Sequence, residues 1–211
     1  MTSRKVLKPG EVKPPHPKPI QGLSFDTKVT VLKALSKNHQ GMEHGVFKRA
    51  VDDSFTWANI YEELCNETFK ERKLKDFLKI EDFFYILTGE KASRAKLAKT
   101  HIPYAEDERY QPSGSEDPAI EPDEDRELSI ELCQFHLFDY FLEDLDLVLN
   151  ELSAEWKSAK SKISSLRIKD ITNSLFEEWG ANDFYNKKDH FEVVNEMVSR
   201  TAKYLGYKII R

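Results

Sequence analysis

Cysteine is nearly missing from this chain: Cys65 and Cys133 are its only two in 211 residues. Both fall inside amphipathic helical runs, so no disulfide framework follows and a reducing compartment is expected. Long apolar runs are missing too. Nothing approaches the roughly eighteen consecutive apolar residues of a membrane span. Pro9, Gly10 and Glu11 stand where a secretory signal would need its apolar stretch after Arg4, Lys5 and Lys8. A soluble protein is expected, cytoplasmic or, in a eukaryote, nuclear, neither secreted nor bound to membrane. Glycine is sparse, and Gly41, Gly45 and Gly89 lack the neighbours of a phosphate-binding loop. No Gly-x-Ser-x-Gly or Cys–His motif occurs either. No catalytic residue, cofactor or metal is therefore assigned, and an enzyme is unsupported.

What the chain does have is apolar mass and charge. Hydrophobic residues make up 39% and aromatics 11%, enough for a packed core. Charged residues reach 33%, above the usual quarter or so, as suits helices with solvated outer faces. The charge is unevenly spread. Residues 1–104 hold nineteen Lys and Arg against thirteen Asp and Glu, a net +6, whereas residues 105–211 hold thirteen against twenty-four, a net −11. A basic front suits a polyanionic partner, and attraction between the two halves accounts for the split equally well.

Composition divides the chain into four parts. Residues 1–22 form a tail in which Pro9, Pro14, Pro15, Pro17 and Pro19 favour extended structure and lysines keep it solvated. Such a tail is either a disordered leader or an arm that follows a phosphate backbone or docks in an aromatic groove. Residues 23–104 form a first domain. Residues 105–127 pack acids, prolines and small residues together and read as an acidic flexible linker, with a second possible role in covering the basic front. Residues 128–211 form a helical domain.

Apolar spacing in the first domain predicts three helices and then a strand pair. Phe25–Lys37 is capped by Ser24 or Asp26 and ended by Asn38-His39-Gln40-Gly41. Met42–Val51 points Val46, Phe47 and Ala50 inward. After a turn at Asp52-Asp53-Ser54, with Ser54 as cap, Phe55–Lys70 buries Trp57 or Ala58, Ile60, Tyr61, Leu64 and Phe69. Residues 73–80 and Phe83–Leu87 then flank Glu81-Asp82 as two strands of a wing, and Ser93–Thr100 closes the domain with a helix.

In the second domain Phe135, Phe138, Leu142, Leu145, Leu149, Leu152, Trp156, Ala159, Ile163 and Leu166 alternate in steps of three and four. That is an a/d repeat over more than four heptads. Its first half is too broadly apolar for a two-stranded seam and suits a bundle. Its second half, with Leu149, Leu152, Trp156, Ile163 and Leu166, reads as a dimer or partner stripe, so residues 135–166 are the expected docking element. Further helices are expected at about 168–179, ended by Gly180, and at Phe191–Leu205, ended by Gly206, with a short strand at Tyr207–Ile210. The fold class is thus mainly α with a small β-hairpin.

The stretch Phe83-Phe84-Tyr85-Ile86-Leu87 followed by Thr88-Gly89-Glu90-Lys91 and a helix resembles the wing of winged-helix regulators of the multiple-antibiotic-resistance and phenolic-acid-decarboxylase repressor kind. The long helix behind it is similar to the helical dimer arm of the second family, though so long an acidic linker departs from that pattern. The resemblance covers about residues 23–104. It implies a DNA-binding regulatory protein that grips duplex DNA with the winged helix and dimerises or recruits a partner through its C-terminal helices. Thr56, Asn59 and Asn66 on the third helix would meet bases, while Lys70, Arg72, Lys73, Lys75, Lys79, Lys91 and Arg94 would meet phosphates. Glu62, Glu63 and Glu67 on the same helix oppose a duplex. The alternative is a non-catalytic interaction subunit of a larger assembly, docking on protein through both surfaces.

Other signals read as structural. His39, Glu43 and His44 have no recognised ligand spacing and are expected in a solvated loop. His136 reads as boundary packing, and Asp189-His190 as a helix start. Glu143, Asp144, Asp146 and Glu151 fall mainly on the outer face of a heptad helix.

Overall fold

The computed structural model describes residues 22–42, 46–49, 55–100, 136–159, 161–180 and 187–211. The Pro/Lys tail, the acidic segment 105–127, the Asp52–Ser54 turn, Ala50, Phe135, Cys133, Glu43 and His44 lie outside them. The architecture is mainly helical with small two-stranded sheets.

Helix α1 (Phe25–Gln40) starts where the sequence puts it: the Ser24 hydroxyl accepts from the Thr27 amide, and the Gly41 amide closes the last turn on Lys37. Its buried stripe is Val31, Leu32, Leu35, Ser36 and His39. Of the second helix, α2 (Val46–Arg49) is described, with Val46 and Phe47 buried.

Helix α3 (Trp57–Cys65) is shorter than its apolar pattern predicts. Thr56 caps it, and Asn59 answers with its side-chain oxygen on the Thr56 amide, a reciprocal capping box. Beyond Asn66 the chain turns into a hairpin of β1 (Thr68–Phe69) and β2 (Arg72–Lys73), antiparallel with Thr68 opposite Lys73. Leu74–Asp76 form a 3-10 turn.

The expected wing strands at 73–80 and 83–87 do not exist. Residues Ile80–Thr88 are helix α4. Phe83, Phe84, Ile86 and Leu87 are buried at i, i+1, i+3 and i+4, a helical period, and the supposed turn residues Glu81 and Asp82 are acids in the helix's first turn. Gly89 ends α4 at φ +78, its amide bonding to the Tyr85 carbonyl. Helix α5 (Arg94–Leu97) follows under a Ser93 cap.

The heptad pattern also does not make one helix. Residues 136–143 form α6, and α7 (Leu145–Ala159) succeeds it. Ile163 lies in strand β3 (Lys162–Ser164), and Leu166 opens a new helix, α8 (Ser165–Glu178), capped by Ser164. Helix α9 (Lys187–Leu205) runs to Gly206, and β4 (Lys208–Ile210) pairs parallel with β3, Ile163 beside Ile209. The strand at the C-terminal end matches expectation. Its partner does not.

One contiguous cluster of buried side chains includes Leu32, Leu64, Phe83 and Leu87 from the front and Phe141, Leu149, Leu152, Val194 and Val198 from the back. Helix α1 packs on α7, and α4 packs on α9. Among the described residues the ion pairs of Lys and Arg stay within their own half, and His39–Asp139 alone crosses. Apolar burial and hydrogen bonds, rather than opposite net charge, join the two stretches.

Candidate interaction surfaces

Three polar constructions fix the geometry of the surfaces. The first is buried. His39, 2% exposed, sits in the last turn of α1, not in a solvated loop, and its Nε2 lies 2.8 Å from Asp139 Oδ1. The same oxygen accepts from the Val46 and Phe47 amides at 3.0 and 3.2 Å. One carboxylate thus ties α1, α6 and the start of α2 together.

The second is Arg200 on α9. Its Nε donates to the Ile86 carbonyl at 2.9 Å and its Nη2 to Leu87 at 2.8 Å, satisfying orphan carbonyls at the end of α4. Burial lowers its pKa from the usual arginine value, with Glu196 opposing. A Cβ at Gly89 would stand 3.0 Å from Arg200 Nη1, so any other residue would push on that guanidinium as well as take up a strained φ. The third is Arg167, which donates to both Glu151 and Glu155 of α7 and locks α8 against it.

Two of the three expected base-reading residues are engaged in the cap of α3. Thr56 is a buried cap, the Asn59 side-chain oxygen is held by Thr56, and Asn66 is the exposed C-cap of α3. The expected phosphate-directed cations divide. Arg72 pairs with Asp76 at 3.2 Å and lies over the Phe77 ring. Glu62 receives both Lys75, at 2.5 Å, and Arg94, at 3.6 Å, so a carboxylate sits where a duplex would need none. Lys70, Lys73, Lys79 and Lys91 are exposed.

The expected partner stripe is mostly interior. Leu149 and Leu152 are fully buried, and Ile163 is 3% exposed. Trp156 stacks on Phe25 at 4.1 Å and meets Tyr207 edge-on, while the Tyr207 hydroxyl donates to the Leu152 carbonyl. Leu166 alone of these five is open, at 68% exposure. Leu166 apart, the described heptad side chains pack into the chain's own core.

Sequence reasoning missed the β3–β4 ribbon. Its inner face is Ile163 and Ile209; its outer face sets Lys162 beside Lys208 and Ser164 beside Ile210. Ile210 is 42% exposed. The signal was available only as alternation in Lys162-Ile163-Ser164 and Lys208-Ile209-Ile210, too short to outrank the helical period around it.

Burial also decides the reactive groups. Desolvation pushes the Cys65 thiol well above its usual pKa, which makes it a poor nucleophile. His190 is buried and its pKa is lowered by desolvation, with Asp189 opposing. Of the acids on the back helices, Asp144 accepts from the Trp179 indole at 2.6 Å and Glu151 binds Arg167. Among the described residues no three His, Cys, Asp or Glu side chains group as a metal site, and no helix is long and apolar enough to cross a membrane. No known protein family, curated protein or solved structure matches the chain.

Proposed function

We propose that this protein is a non-catalytic docking module of a larger protein assembly. The observation that carries this reading is the β3–β4 ribbon. Leu166 and Ile210 are large exposed apolar side chains, and Leu166 lies two residues beyond Ser164, the register neighbour of Ile210. Each strand of the ribbon has a second edge with no strand neighbour among the described residues, the form in which proteins commonly add a partner strand. The reading of a DNA-binding regulator keeps the exposed Asn66, Lys70, Lys73, Lys79 and Lys91, but has lost its wing strands, and Thr56 and the Asn59 side-chain oxygen are held in a helix cap.

Affinity purification of the full chain separates the two, run with Leu166→Asp and with the triple change Lys70→Ala, Arg72→Ala, Lys73→Ala. The docking reading expects a protein retained by the wild type and the triple variant and lost by Leu166→Asp, with no mobility shift of random duplex at low salt. A duplex shift abolished by the triple variant would establish the nucleic-acid reading instead.

A further inference from the structure

The outer face of the β3–β4 ribbon has a chemical order as well as an open edge. Lys162 and Lys208 are register neighbours, both exposed, and neither has a carboxylate in ion-pair range among the described residues. Like charges side by side on one sheet face repel. The carboxylates that α7 brings to this end, Glu151 and Glu155, are engaged by Arg167 and do not relieve the pair. One step along the same face the row becomes Ser164 and Ile210, and Leu166 follows in the first turn of α8. The ribbon thus offers two ammonium groups with no ion-pair partner among the described residues, then two exposed apolar side chains, beside strand edges that no other described strand pairs.

We propose that this ribbon binds an extended segment of a protein partner that adds as a third strand, carrying a carboxylate at one position and a large apolar side chain two residues on. In an extended strand positions i and i+2 share a face. The carboxylate then meets the Lys162–Lys208 row and the apolar group lies against Ile210 and Leu166, while the partner's backbone completes the edge. The proposal rests on the docking reading and names its ligand chemistry. A nucleic acid would use the lysines alone and leave the apolar pair and the backbone edge unmet. A second copy of this chain would bring two lysine rows together.

The test is an anisotropy titration of the full chain with two short capped peptides, threonine-rich, one with Glu and Ile two residues apart and one with Lys in place of the Glu. The acidic peptide is expected to bind at least about tenfold more tightly, with affinity falling as salt rises. Lys162→Glu with Lys208→Glu should invert the preference, and Leu166→Asp should weaken both peptides. These positions are exposed, and unchanged circular dichroism verifies folding. Equal binding of the two peptides, or binding of neither, overturns the proposal. So does displacement of the acidic peptide by random duplex with loss of duplex binding in the lysine variants, or a doubling of solution mass that Lys162→Glu with Lys208→Glu strengthens. If the peptides fail but Leu166→Asp still loses a retained protein, the docking reading stands and the strand chemistry falls.

Discussion

The two small sheets of this chain are built on opposite plans. Strands β1 and β2 are joined by Lys70 and Glu71 alone, whereas β3 and β4 are separated by two whole helices and pair in parallel. A hairpin closes a short loop and costs little entropy to form; a parallel pair must wait for the intervening helices to dock. The hairpin is anchored by half-buried rings, Phe69 against Phe77 at 5.1 Å, and its Arg72 is neutralised by Asp76. The ribbon is anchored by Ile163 in the core and leaves its lysines unmatched. The hairpin's register follows from residues beside it, and the ribbon's from helices far along the chain.

Truncating the two anchors measures how deeply each sheet is tied to the core. Ile163→Ala removes a side chain that is 3% exposed and should cost roughly 2–5 kcal/mol, as buried Ile truncations do. Phe69→Ala removes a half-buried ring and should cost clearly less, about 1–2 kcal/mol from partial loss of apolar burial. Urea midpoints with an unchanged slope are the measurement. Equal costs would mean that the ribbon is no more embedded than the hairpin, and the contrast would fail.

Alkaline titration sharpens the same contrast with a smaller effect. Burial pushes the Tyr207 phenol, immediately before β4, from 10 up to about 12, with Glu155 adding to the shift. Below pH 10 the phenol is protonated whether folded or unfolded, so its contribution is fully present. Between pH 10 and about 12 the unfolded chain releases the proton while the folded chain holds it, and stability is lost as pH rises. Tyr61, under the turn that follows β2, donates to the Leu78 carbonyl and is pushed higher still by burial, then by Cys65. Over that interval the two phenols cost stability at the same rate, and above it only the Tyr61 end goes on losing. Tyr207→Phe should therefore make the fall of the urea midpoint between pH 10 and about 12 shallower and leave the fall at higher pH unchanged, and an unaltered slope between pH 10 and about 12 would refute the assignment.

What the sequence made legible follows the same division between near and far. Ser24 and Gly41 bound α1, Gly180 and Gly206 follow α8 and α9, and each rests on residues within a few positions. The Phe83–Leu87 run fails because a short apolar run is ambiguous between strand and helix. Its arbitrators were present: Glu81 and Asp82 are better helix-start acids than hairpin-turn residues, and Gly89 is a helix stop. The heptad run fails differently. Steps of three and four persist through Ile163 and Leu166, with no glycine or proline to end them, yet β4 takes Ile163 as its neighbour. No local pattern announces a partner that arrives only after α8 and α9. Of the candidate site residues, Thr56 and Asn59 illustrate a general trap: a hydrogen-bonding side chain at a helix start caps the helix before it reads a base. Lys162 and Lys208 were invisible as a pair for the same reason that β3 was.

The smallest expected effect tests the hairpin from its turn. Lys70 and Glu71 both adopt positive φ, +47 and +63, the pattern of a tight two-residue hairpin turn that prefers Asn-Gly. Side chains with a Cβ are strained there, so Lys70→Asn with Glu71→Gly should stabilise the chain by about 1 kcal/mol, after subtracting the extra freedom glycine gives the unfolded state. The gain should appear as a higher urea midpoint and slower hydrogen exchange confined to residues 68–73. The ribbon should be indifferent to it, because Lys162 and Lys208 owe their register to helix packing and not to a turn. Stabilisation at both sheets would mean that the two ends fold as a unit, and the opposition of a self-contained hairpin to a ribbon set by distant packing would then be wrong. No stabilisation at all would mean that the positive φ angles carry no strain, and the turn would have to be something other than the tight two-residue form.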